Sequence, residues 1–206
     1  MAHKIDLLKR NFFNHAIADI YRALDGKSMI GAFILTFCLI DCLNWIEFGN
    51  QKRGFNKWIV KRLLPQNLYY NNKEEELYSV RCGLVHCYGP SNQIINQEFL
   101  GYHLMECNPG LHLMRVNDDH LKICLYSILT ETVFAAHLIF EELKQAVSLE
   151  QLDRLNRQIN SNHGIVPDVY KDMHIALDVF DKYPKLELNH VKAGYTKHIL
   201  YAQRHL

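Results

Sequence analysis

The chain has 206 residues, 49% of them apolar, and a formal net charge of +1 at pH 7. That is enough apolar material for one domain of generous size with a core of its own. The near-zero balance excludes a global attraction to an anionic partner, so any basic surface has to be local. The six cysteines (Cys38, Cys42, Cys82, Cys87, Cys107 and Cys124) form no C-x-x-C pair, and the sequence opens without an apolar run. These features predict reduced thiols in a cytoplasmic protein.

Along the first 24 residues, Ile5, Leu8, Phe12, Ile17, Ile20, Tyr21 and Leu24 recur at helical spacing. Asp25-Gly26 ends that helix. Ser28 is placed to cap the next one, which runs to about Phe48 and exits at Gly49-Asn50. Its apolar run, Met29 to Ile40, is closed by Asp41 and Asn44, which predicts a buried core helix and no membrane span. A shorter helix from about Lys52 to Leu64 stops before Pro65. A fourth begins near Lys73, with Glu74, Glu75 and Glu76 in the first turn where carboxylates suit the helix dipole, and ends before Gly89-Pro90. Residues 97–106 and 111–116, with Asn108-Pro109-Gly110 between them, read as a β-hairpin inserted at about 97–117. A long helix is predicted from about Asp118 to Val147 and a short one from Leu149 to Ile159. Two more, near Asp168–Phe180 and Val191–His205, would form a C-terminal extension. The expected organisation is a mainly α bundle over residues 1–160 with a small β-hairpin, and a helical extension over 161–206 packed on the same domain.

One stretch carries chemistry. From Glu76 to Pro90 the sequence is E-L-Y-S-V-R-C-G-L-V-H-C-Y-G-P, and Arg81 is its single fully charged side chain after Glu76. At about 100° per residue, Arg81 falls near the apolar sector of Leu77, Val80 and Leu84, and His86 lies about 140° away beside Ser79, Cys82 and Gly83. An arginine among apolar neighbours requires an anion or another acceptor. Small residues beside His86 would let a second chain approach, so the helix is expected to form a homodimer interface. Arginine offers a charged donor fork that matches a phosphate, and histidine exchanges protons near neutral pH. On RNA these two suffice without a metal, because the 2′-OH can itself attack the phosphorus. The same spacing also fits a plainer role, with Arg81 pairing to a helix-terminal carbonyl and His86 a satisfied core histidine.

The segment Leu77 to Pro90, with its R-x4-H-x-Y pattern, resembles the signature helix of the HEPN superfamily, and the helix containing Phe33-Ile34-Leu35 and Ile40-Asp41 resembles that fold's second core helix. The resemblance covers about residues 1–147. It implies a four- or five-helix bundle and a homodimer in which two signature helices face each other and cut RNA without a metal. Arg81 would bind and polarise the phosphate, and His86 would act as general acid and base. Tyr88 matches the tyrosine that a nucleotidyltransferase antitoxin modifies in HEPN toxins, which implies a toxin or defence effector with such a partner. Cys82 stands where active members carry Asn, Asp or His. The alternative is therefore a catalytically silent HEPN module that binds RNA, a nucleotide or a partner protein.

Residues 49–73 hold Arg53, Lys57, Lys61 and Arg62 and no acid, with Trp58, Tyr69 and Tyr70 interleaved. Arg53, Lys57 and Lys61 are candidate RNA contacts; the plainer reading, which we prefer, is a solvated face balanced by Glu74–Glu76. His190, Lys192, Lys197, His198, Arg204 and His205 make a second basic stretch, read first as the polar face of a last helix. His103, His112 and His120 match no zinc spacing. Cys38 and Cys42 are expected to be core thiols. No metal and no cofactor is predicted.

Overall fold

The computed structural model describes residues 5, 16–49, 51, 53–87, 93–95, 98–105, 109–116, 120–145, 148, 150, 151, 153, 154 and 157. Tyr88, the C-terminal helices expected beyond residue 160 and the second basic stretch lie outside these.

The described chain is mainly helical. Helix α1 (Ala18–Asp25) closes where expected: Gly26 donates to Arg22 O at 2.9 Å, and Lys27, at φ 57°, turns the chain into the next element. Helix α2 (Met29–Phe48) begins after Ser28, although the serine side chain makes no capping bond. Gly49 ends it at φ 68°, a conformation that favours glycine. At 20 residues, α2 is long and apolar enough to cross a membrane. Here Phe33, Phe37, Ile40, Leu43 and Ile46 form the centre of the core, against Ile20 of α1 and Phe140. Such an all-round apolar helix has neighbours on several sides.

Helix α3 (Gly54–Trp58) continues into a π-helical turn, Ile59–Leu63, where Leu64 N reaches back to Ile59 O. Gly54 meets α2 closely: a Cβ there would stand 2.7 Å from Asn44 Oδ1. A 3₁₀ turn, Leu68–Tyr70, follows with Asn67 Oδ1 accepting from Tyr69 N. Helix α4 (Glu74–Cys87) packs on α2 and α3 through Leu77, Val80 and Leu84.

The predicted hairpin is corrected. Strands β1 (Gln93–Ile95) and β2 (Glu98–Met105) pair antiparallel. Strands β3 (Arg115–Val116) and β4 (His120–Cys124) do the same. A parallel β2–β4 pairing, from Gly101 opposite His120 to Met105 opposite Cys124, joins the two pairs in the order β1-β2-β4-β3. The two runs expected to face each other therefore lie on either side of β4. The long helix is corrected too. It does not open at Asp118; residues 120–124 are strand, and helix α5 spans Leu125–Gln145. The alternation of exposed His120, buried Leu121, half-buried Lys122 and buried Ile123 is the period of a strand, and sheet pairing prevails there over the acidic helix-start signal.

After α5, Ser148 and Gln151 bond reciprocally: Ser148 N donates to Gln151 Oε1 at 3.0 Å and Gln151 N to Ser148 Oγ at 3.1 Å. That capping box opens the short helical stretch expected after residue 149.

Candidate functional site

Burial divides α4 into two sides. Glu76, Leu77, Val80, Gly83 and Leu84 are buried, while Glu75, Tyr78 and His86 are exposed and Ser79, Arg81, Cys82 and Val85 are half-buried. At about 100° per residue, Arg81 and His86 mark the two margins of one uncovered strip, with Val85, Tyr78 and Cys82 between them. Two expectations change accordingly. Gly83 faces the core and is no part of an open small-residue face. His86 is solvent-exposed, so it is not a core histidine.

Arg81 has the anion it needs. Its Nε donates to Asp41 Oδ2 of α2 at 2.7 Å, and its terminal nitrogen stands 2.7 Å from the same oxygen. Burial works against the guanidinium charge, but the Asp41 bond and charge outweigh it, so the Arg81 pKa is raised. Burial lifts the Asp41 carboxyl above its ordinary value despite the opposing pull of Arg81. The Arg81 side chain keeps 21% of its surface exposed. Its Nη1 lies 3.8 Å from Cys82 Sγ, a weak contact.

Asp41 escapes the sequence reading as a site residue. The available signal is a carboxylate inside an otherwise apolar helix, which by pattern marks only the end of the apolar run. Cys38 and Cys42 flank it one turn apart. Cys42 is half-buried and its thiol is pushed up to about 11, first by burial and then by Asp41 and Cys38. Cys38 is exposed, which corrects its expected place in the core, and burial followed by the Asp41 charge raises its pKa as well. Neither shift favours a thiolate nucleophile.

The basic segment divides. Arg53 and Lys57 point to solvent, Arg53 4.0 Å from Glu75 and Lys57 Nζ donating to Gln51 Oε1 at 3.0 Å. Lys61 is held by Glu47 and lies over the Phe48 ring. Arg62 is buried, donating to Glu47 at 2.6–3.1 Å and to Glu142 at 2.6–2.7 Å. Both carboxylates raise its pKa against the effect of burial. With Ile139, Leu143 and Gln151 these groups line a small polar cleft, but Arg62 is bound up in it and is no RNA contact. Trp58 and Tyr70 are fully buried and cannot stack on bases.

A second polar cluster lies inside the protein. Glu131 of α5 accepts from Tyr70 Oη at 2.5 Å and from Asn67 Nδ2 at 2.9 Å. His112 Nδ1 accepts from Cys124 N at 3.1 Å, which leaves Nε2–H to donate to Tyr70 Oη at 3.0 Å. Burial pushes Glu131 up to about 7, against the hydrogen bonds from Tyr70 and Asn67, and His112 down to about 3. Being closed to solvent, this chain ties the sheet to the bundle and has no substrate access. Among the described residues, no group of three or more His, Cys, Asp or Glu is placed to hold a metal ion.

Compared with family models, curated proteins and solved structures, the chain matches none.

Proposed function

We propose that the chain is a metal-independent endoribonuclease of HEPN type, acting as a homodimer through the uncovered strip of α4. The observation that carries the reading is the strip itself: a charged fork seated on a carboxylate at one margin, an open imidazole at the other. The two are five positions apart, about 7.5 Å along the axis and about 140° around it. A scissile phosphate touching both is most simply served by two copies facing each other, each lending its Arg81 and His86.

In the proposed reaction the 2′-oxygen bonds to the adjacent phosphorus and the bond to the 5′-oxygen breaks. The products are a 2′,3′-cyclic phosphate and a 5′-hydroxyl. One His86 takes the 2′-OH proton and the other supplies a proton to the leaving 5′-oxygen. Arg81 neutralises charge that gathers on the non-bridging oxygens. A toxin or defence effector restrained by a nucleotidyltransferase partner is a natural setting for such an enzyme.

A second reading, a silent RNA- or nucleotide-binding module, is favoured by one observation. At Cys82, where active HEPN members hold Asn, Asp or His, the group facing Arg81 is a thiol at 3.8 Å. One experiment separates the two: incubation of the purified protein with single-stranded RNA in excess EDTA. Cleavage is expected to persist, and Arg81→Ala and His86→Ala each to lower it by roughly 100-fold or more, with the dimer intact by sedimentation. RNA binding without cleavage by the wild type supports the module. Loss of activity in EDTA, restored by a divalent metal, refutes the proposed chemistry.

A further inference from the structure

A row of rings rises from the core to the site. Phe37 of α2 is fully buried and its ring centroid lies 6.3 Å from that of Phe55 of α3. Phe55 in turn lies 5.7 Å from Tyr78 of α4, tilted by 58°, and Tyr78 is 43% exposed. The outer ring is therefore backed by a rigid aromatic floor. The neighbouring Cys82 side chain raises the Tyr78 pKa.

The surroundings suit a polyanion with flat bases. Tyr78 precedes Arg81 by three residues, about 4.5 Å along the helix axis, and stands about 12 Å from the level of His86, toward the outer end of the strip. Exposed Arg53 comes within reach of Glu75, one turn before Tyr78 on the same helix. Glu75 draws on Arg53 at 4.0 Å, but an exposed pair of this kind is weak and yields to a phosphate. Single-stranded nucleic acid is bound by this combination, an accessible ring beside cations that follow the backbone.

We infer that Tyr78 is a stacking platform for the base of a nucleotide neighbouring the phosphate held by Arg81, so that the protein takes single-stranded RNA and reads it by stacking. This rests on the ribonuclease reading for the place of the phosphate, though not on cleavage itself. Helical periodicity alone does not reveal it: at Tyr78 the pattern offers only one more aromatic beside an apolar sector, and its floor comes from Phe55, far earlier in the chain.

The test is a cycle between ring and base. In the His86→Ala background, which keeps the probe whole, the affinity of a fluorescent oligoribonucleotide of about 12 nucleotides, within the usual span of a single-strand site, is measured by anisotropy. The measurement is repeated on probes each lacking one base. Tyr78→Leu, which still covers Phe55, should weaken the intact probe by about tenfold, and Tyr78→Phe should bind as the parent does. Tyr78→Met serves as a second ring-less variant should the leucine protein not fold. One abasic position should reproduce the loss when the tyrosine is present and add nothing in the Tyr78→Leu protein.

Equal abasic losses in both proteins, or unchanged affinity in the ring-less variants, overturn the platform even if wild type cleaves. A full ring–base coupling in a protein that never cleaves leaves the platform standing and removes only the nuclease reading. Absence of RNA binding in every form overturns both.

Discussion

Asp41 decides how the Arg81 fork is presented. A single carboxylate oxygen receives both the Nε bond and the approach of a terminal nitrogen, while Nη1 makes only a weak contact with Cys82 Sγ. Asp41→Asn keeps the shape but removes the charge that holds the fork. Misplacement of about 1 Å in such a group is worth on the order of 100-fold. On the ribonuclease proposal we therefore expect a roughly 10- to 100-fold fall in kcat, measured by single-turnover cleavage. An unchanged kcat would show that Arg81 needs no such support. At this scale the sequence was partly legible. It singled out Arg81 and required an anion for it, but a partner 40 residues earlier on another helix follows only from how α2 and α4 pack. It missed the exposure of Cys38 for a related reason: an apolar helix has no visible outer face until its neighbours are known.

Among the elements, α2, the π-helical turn and α5 meet at Arg62. The guanidinium is 8% exposed and bridges Glu47, 5% exposed, to Glu142. Replacing it strands a buried carboxylate, for which removal of one partner is worth about 3–5 kcal/mol. Lys61 also holds Glu47, so Arg62→Ala should fall near the lower end, about 3 kcal/mol by urea denaturation, with Arg62→Met no better than partly restoring it. A loss below about 0.5 kcal/mol would mean that the exposed lysine alone satisfies Glu47. Helix positions in this region were readable from caps and breakers, Gly26, Gly49 and Pro65 among them. The sheet was not, because its pairing joins β2 to a strand beyond β3. The four residues after Asp119 alternate in burial too briefly to outweigh the helical period that follows them.

Across the whole molecule, the buried chain from His112 through Tyr70 to Glu131 gives an unusual pH response. Glu131, ordinarily 4.5, is raised to about 7 in the folded state. Its contribution is complete below about 4.5 and is lost as pH rises through 7. His112, ordinarily 6.5, is lowered to about 3, so its contribution is complete above about 6.5 and is lost as pH falls toward 3. Between pH 4.5 and 6.5 the two slopes oppose, and stability should be nearly level. Glu131→Gln removes one of them, so the variant should gain stability as pH rises through that window, by on the order of 2–3 kcal/mol, and stay level above it. Urea midpoints taken from about pH 4.5 to about pH 8 check this, and parallel curves for the two proteins would refute it. In the sequence, His112 offers only a spacing that fits no metal. Its partners, Tyr70 and Glu131, lie on either side of it in the chain and come together only when the sheet seats on the bundle.

Arg154 has a consequence for how short the protein can be made. It donates to the carbonyls of Ile46 and Glu47 at 3.1 Å each, where α2 ends, and its side chain lies so near Gly49 that a Cβ there would stand 3.3 Å from it. A truncation at Gln145 would strip the tail of the central helix of its guanidinium clasp and bare two peptide oxygens at the negative pole of its dipole. The smallest fragment that keeps this terminus dressed reaches Arg154, well past the end of α5.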